Sequence, residues 1–184
     1  MNSTALPGDI LVDYVTGRTV PNDGAERNRQ ATERCLVEHK GFRREEIEVD
    51  AAIKLDMGDE CFQATVDLVV RVNGYRFMAI KCAAGSLASR EKEIVAAARL
   101  LESYQIPLSV ACDGHTALVW DTVSGKIAGN GLDAIPSRSE AEAAFNPGEV
   151  VPLDEKRRHR QMLIYRTYAT QSCAVSFSPG SREQ

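Results

Sequence analysis

The chain has 184 residues, 43% of them hydrophobic and 26% charged, with a formal net charge of −4. That length closes one sizeable core but not two ordinary domains, and the charge excludes a protein that coats nucleic acid by bulk charge, though not one with a local basic face. Apolar runs such as Ile94 to Ala98 are far shorter than a bilayer span, and the N-terminal stretch has no basic region followed by an apolar one, so a cytoplasmic setting is expected.

Cys35, Cys61, Cys82, Cys112 and Cys173 are odd in number and widely spaced. With only three histidines to join them, they are expected to be reduced and mostly buried rather than zinc ligands or a disulfide framework.

Residues 1–23 carry the apolar patch Ile10-Leu11-Val12 and two turn signals, Thr16-Gly17-Arg18 and Pro21-Asn22-Asp23, and read as an arm that packs on the domain. Asn22 or Asp23 can cap a first helix through Glu26, Arg29, Ala31, Cys35, Leu36 and His39, with Gly41 as its stop. From Ile47 to Leu55, alternation sets Ile47, Val49, Ala51 and Ile53 on one face and Glu48, Asp50 and Lys54 opposite, as in a half-exposed strand. The turn Met57-Gly58-Asp59 leads to a second strand, about Phe62 to Val72, rich in β-branched residues. Asn73-Gly74 is a tight-hairpin dipeptide. The third strand, Tyr75 to Ala83, is apolar except for Arg76 and Lys81, which makes it central.

Gly85-Ser86 breaks that strand, and Ser89 is the expected N-cap of a second helix with Ile94, Ala97, Ala98, Leu101 and Tyr104 along one stripe. A short apolar run, Leu108 to Cys112, is followed by the Asp113-Gly114 turn and a strand from Thr116 to Thr122. Residues 125–153 read as loops with one short helix around 138–144. A last helix runs from Asp154 to about Thr170, and the tail beyond Ser176 is expected to be disordered. The sum is a single α/β domain: a helix, a three-strand antiparallel meander, a helix and two further strands in one mixed sheet, plus a C-terminal helix. Its parts are an arm (1–23), the α/β domain (24–153), and a helix with tail (154–184).

The chemistry centres on the hairpin. Asp67 lies 6 residues before Asn73 and Lys81 lies 7 after Gly74, so the two should meet across paired strands. A carboxylate and an ammonium in a buried sheet are costly unless they pair or bind something. Asp113 and His115 flank a turn without a placeable cysteine or serine partner, so no hydrolase triad is read there.

This element order, with Asp67 and Lys81 on adjacent strands, resembles the restriction-endonuclease-like core of the PD-(D/E)XK nuclease superfamily, and more specifically the N-terminal nuclease-like region of type I restriction enzyme R (motor) subunits. Asp13-Tyr14-Val15-Thr16-Gly17-Arg18-Thr19-Val20-Pro21 and Glu26-Arg27-Asn28-Arg29-Gln30 are similar to that region too, and the resemblance covers roughly residues 10–122. It implies a DNA-associated domain of a restriction-modification system in which carboxylates hold Mg²⁺ to polarise the scissile phosphate, while the lysine positions or helps deprotonate the attacking water. It also implies DNA and restriction-system or defence subunits as partners. A homodimer is a further option.

The family signature places Glu-x-Lys on the third strand, where this chain reads Ala79-Ile80-Lys81. The missing carboxylate can come from the following helix, where Glu91 and Glu93 stand on opposite flanks of the apolar stripe, and the pattern does not choose between them. The expected catalytic set is therefore Asp67, Lys81, Glu93 and Glu91, and the metal set Asp67, Glu93 and Glu91. Glu33 and Glu60 are weaker substitutes, with Glu33 expected on solvated surface. Lys156, Arg157, Arg158 and Arg160 are the candidates for nucleic-acid phosphates, against the plainer reading of a solvated helix face. Two functions stand open: a Mg²⁺-dependent endodeoxyribonuclease with an atypical active site, or a catalytically inactive nuclease-fold module binding nucleic acid or a partner protein.

Overall fold

The computed structural model describes residues 10–57 and 61–173, with side chains described through Ala169. Expectations for the tail beyond Ser176, for Gly58-Asp59, for Glu60 and for the Cys173 side chain lie outside the described residues.

The arm doubles back on itself. β1 (Ile10–Val12) and β2 (Thr19–Pro21) pair antiparallel, and Gly17 takes φ 72° in the connection. Pro21, expected in a turn, is the last residue of β2 and pairs with Ile10. Of the two capping candidates, Asp23 caps α1 (Gly24–Arg34), its Oδ1 accepting the Glu26 N–H at 2.8 Å. The helix runs on through one wide turn at Cys35–His39 before Gly41, at φ 76°, ends it.

β3 (Ile47–Asp56) and β4 (Cys61–Val72) form a long antiparallel ribbon, and Asn73-Gly74, both at positive φ, folds β4 back into β5 (Tyr75–Cys82). α2 (Glu91–Leu100) carries the chain to β6 (Leu108–Cys112), which lies parallel to β5, and β7 (Ala117–Asp121) follows antiparallel. A sixth strand, β8 (Lys126–Asn130), closes the sheet in the order β3-β4-β5-β6-β7-β8. It occupies part of the stretch expected to be loop. Its residues are mostly exposed, so backbone pairing with β7 holds it without an apolar pattern. α3 (Arg138–Ala144) falls where the short helix was expected, and α4 (Glu155–Cys173) completes the chain.

Apolar layers cover both faces of this mixed sheet. One joins it to α2 and α4 through Ile94, Ala97, Met162 and Tyr165, and the other to the end of the first helix and to α3 through Leu36, Phe42, Ala141 and Phe145. The alternation read along β3 does not hold to one face. Ile47 and Val49 pack in the α1–α3 layer, whereas Ala51, Ile53 and Leu55 pack in the α2–α4 layer. The crossing falls at Asp50, whose φ of 53° breaks the pleat. The pairs on either side, Val49 with Leu68 and Ala51 with Val66, leave Asp50 across from Asp67 at this break.

The start of α2 also differs from expectation. Leu87–Arg90 forms a tight 3₁₀ turn in which the Ser89 hydroxyl donates to the Ser86 carbonyl at 2.7 Å, so Ser89 does not cap the helix. Leu101 and Tyr104 lie beyond the last turn.

Candidate functional site

Asp67 and Lys81 meet as the hairpin count implies, and a bulge explains the odd offset. Between Val70 and Arg71 the register shifts by one, so Leu68 faces Ile80 and the next pair outward is Asp67 with Lys81. Lys81 Nζ donates to Asp67 Oδ1 at 3.2 Å, and the Cys82 N–H donates to Asp67 Oδ2 at 2.6 Å. That amide lies beyond the last β4–β5 ladder pair, so the aspartate takes the place of a missing strand partner.

Glu93 is the third member. It points inward from the first turn of α2 with its side chain 7% exposed, and its Oε1 lies 3.5 Å from Lys81 Nζ. Arg90 approaches the other oxygen at 3.7 Å. One ammonium thus stands between two carboxylates from two elements. Burial alone would lower the Lys81 pKa, but the Asp67 and Glu93 charges outweigh it and hold the amine above its ordinary value.

The three side chains open on a cleft of about 460 Å³ between the β3–β4 ribbon and α4. Lys54 and Gln63 line its ribbon side, and Tyr165, packed edge-on against Phe62, lines the other. None of these was singled out from sequence. The only signal for Lys54 was its polar position in the β3 alternation.

The remaining candidates do not join this cluster. Glu91 is exposed and lines a separate groove on the other flank of α2. The basic run divides: Arg157 and Arg160 line that same groove, while Lys156 is exposed. Arg158 donates to the Leu100 carbonyl at 3.2 Å and the Glu102 carbonyl at 3.5 Å, where it serves the C-terminal end of α2. Ala79, at the signature's carboxylate position, is fully buried in the α2–α4 layer.

Glu33 overturns the expectation of solvated surface, because it is 0% exposed. The side chains of α1 explain why. Asp13 Oδ2 accepts from Gln30 at 3.1 Å and Arg29 at 3.3 Å, and Glu33 Oε2 accepts the Val15 N–H at 3.2 Å. Arg29 also pairs with Glu26 at 2.9 Å and Asp50 at 2.8 Å. The stretches around Asp13 and around Glu26 are therefore one network that clamps the arm onto α1. Among the described cysteines, Cys35, Cys82 and Cys112 are buried free thiols and Cys61 is an exposed one.

Among the described residues, no three His, Cys, Asp or Glu side chains come together as a metal cluster, and none of the helices is long and apolar enough to cross a membrane. What the fold and site define is a mixed α/β domain with an acid–lysine–acid cleft where an antiparallel hairpin meets a parallel strand. The family described as type I restriction enzyme R protein N terminus (HSDR_N) matches residues 24–136, more than half of the chain. The chain belongs to that family. The match spans α1, the whole six-stranded sheet, and Asp67, Lys81 and Glu93, but not the arm hairpin or α4. No curated protein and no solved structure matches the chain.

Proposed function

We propose that this chain is a DNA-acting nuclease domain of a type I restriction system, built on a PD-(D/E)XK-like site in which the second carboxylate has moved from the third strand to the following helix. The observation that carries this reading is Lys81 Nζ held 3.2 Å from Asp67 and 3.5 Å from Glu93 at the mouth of a cleft. Two carboxylates and one lysine are the donor set that such chemistry needs, and Glu93 fills the vacancy left by Ala79. The partners that follow are DNA and the other subunits of the system.

The donor chemistry fits a hard divalent cation such as Mg²⁺. Asp67 Oδ1 and the Glu93 carboxylate are the oxygens that would hold it, with Asp67 Oδ2 fixed by the Cys82 amide. When bound, the ion supplies charge stabilisation at the scissile phosphate. The chain's own contribution is positional. The strand ladder fixes Asp67, the helix fixes Glu93, and Lys81 orients a water or neutralises charge beside the phosphate. Lys54, which lines the cleft, would face the phosphate backbone.

One observation favours a second reading. Glu93 is already shared by Lys81 and Arg90, a closed ion-pair arrangement that also suits a nuclease fold kept for binding alone. Nicking of supercoiled plasmid in Mg²⁺ or Mn²⁺ separates the two readings. The nuclease reading expects wild-type nicking and a loss of at least about a hundredfold in Lys81→Ala and in Glu93→Gln, the scale on which positioned groups act. Equal nicking by wild type and Lys81→Ala would remove Lys81 from any mechanism. No nicking by any form, with DNA still bound, would leave the binding module.

A further inference from the structure

The groove on the far flank of α2 collects positive charge that the cleft does not use. It has a volume of about 420 Å³ and lies between α2, α4 and the turn that joins β7 to β8. Lys92, Arg99, Arg157 and Arg160 line it, with Glu91 as the single acidic residue of its lining.

Arg99 is the cation of this groove that the fold holds in place. It is half-buried, and its guanidinium donates to the Thr122 carbonyl at 2.9 Å, the Val123 carbonyl at 3.3 Å and the Gln161 amide oxygen at 3.4 Å. All three acceptors are neutral, and among the described residues no carboxylate comes within ion-pair distance of it. The carbonyls hold the fork in place without cancelling its charge. Burial and then the like charge of Arg157 push its pKa below the ordinary value, against a smaller pull from Asp121. Arg157 has Asp154 at 3.3 Å, but both partners are well exposed and such a pair neutralises little. Arg160 is exposed in the same groove. A fixed guanidinium without a counter-anion, ringed by three further cations, is an arrangement that an anion relieves, and planar forks match phosphate oxygens bidentately.

We propose that this groove is a phosphate-binding site, centred on Arg99 and completed by Lys92, Arg157 and Arg160. It is separate from the Asp67–Lys81 cleft and stands whether or not that cleft cuts DNA. The phosphates can come from a nucleic-acid backbone or from a free phosphorylated molecule, and the two sources are distinguished by what competes.

The test uses the full chain, a short labelled DNA duplex followed by fluorescence anisotropy, and tripolyphosphate followed by calorimetry. Two variants carry it: Arg160→Ala removes an exposed cation that the core does not need, and Glu91→Gln removes the opposing carboxylate. Both are checked for unchanged melting. With a backbone source, Arg160→Ala weakens duplex binding several-fold and lowers the slope of log K against log salt by about 1, while Glu91→Gln tightens binding. With a free phosphorylated source, tripolyphosphate binds wild type directly and its affinity follows the two variants with the same signs, while duplex binding stays constant. Arg99→Lys, which keeps the charge but loses the fork, weakens whichever ligand binds. The proposal is overturned if wild type binds neither probe, or if neither affinity responds to Arg160→Ala and Glu91→Gln.

Discussion

Replacing Glu33 by glutamine isolates the proton held under the arm. Four carboxylates surround the Arg29 guanidinium: Asp50 at 2.8 Å, Glu26 at 2.9 Å, Asp13 at 3.3 Å and Glu33 at 3.8 Å. One positive charge cannot neutralise four negative ones. Asp13 is held ionised despite its burial by hydrogen bonds from Thr16, the Arg29 charge and Gln30, and its pKa is lowered. Glu33 is the most buried, the farthest from Arg29, and its Oε1 lacks a hydrogen-bond partner. Burial first, and then the Asp13 charge, raise its pKa from 4.5 to about 7, against the Val15 N–H and Arg29. The folded state therefore binds this proton more tightly than the unfolded chain. The stabilisation is complete below about pH 4.5 and is lost as the pH rises through 7. The gap from 4.5 to about 7, at 1.36 kcal/mol per pH unit, comes to about 3 kcal/mol. Glutamine carries no charge at any pH and keeps an oxygen for the Val15 N–H. Urea denaturation should therefore show Glu33→Gln gaining about 2 kcal/mol or more on wild type between pH 5 and pH 8, most of that gap. The same stability difference at both pH values would refute the assignment of the proton to Glu33.

Lys81→Met leaves Asp67 and Glu93 facing each other without their shared cation. It should lower stability by about 2–4 kcal/mol at neutral pH and recover part of the loss near pH 4, read by thermal melts across pH. In wild type the raised Lys81 pKa adds its own pH dependence. Its stabilisation is present below the usual lysine value of 10.5 and is lost as the pH climbs through the folded value. Ala79→Glu writes Glu-x-Lys into the third strand of the meander in sequence only. At a fully buried position in the α2–α4 layer, the new carboxyl should cost about 3 kcal/mol or more in urea unfolding. Arg158→Ala should cost about 1 kcal/mol by exposing the Leu100 and Glu102 carbonyls at the end of α2, seen as a lower urea midpoint.

The order of the helices and of the first five strands of the sheet was legible because those elements carried local signatures. Asn73-Gly74 fixed the hairpin, Asp23 the helix start, and the Ile94–Ala98 run the helix that crosses over the sheet. β8 had no such signature, since Lys126, Gly129 and Asn130 give no alternation and only pairing with β7 defines it. Gly129 shows why the strand tolerates little else there, because a Cβ would come 2.5 Å from the Ala134 Cβ. The face of β3 could not be read past Asp50, because a single residue at positive φ moves every later side chain to the other layer. At the site, Asp67 and Lys81 followed from counting residues about a turn. Which of Glu93 and Glu91 lies beside Lys81 depends on which flank of α2 meets the sheet, and the 3₁₀ turn that precedes the helix carries no signal for it in the pattern. Glu33 was misplaced for a similar reason. A polar face on α1 reads as solvent-facing until the arm, with Asp13 and its own amides, is laid over it.

The most direct test of the migrated-carboxylate site is a calorimetric titration of Mn²⁺ into the full chain as wild type, Glu93→Gln and Lys81→Met. The proposed site predicts binding of the ion in wild type, binding at least about tenfold weaker in Glu93→Gln, and tighter binding in Lys81→Met, where the competing ammonium is gone. Equal affinity in wild type and Glu93→Gln, or weaker binding in Lys81→Met, would contradict it.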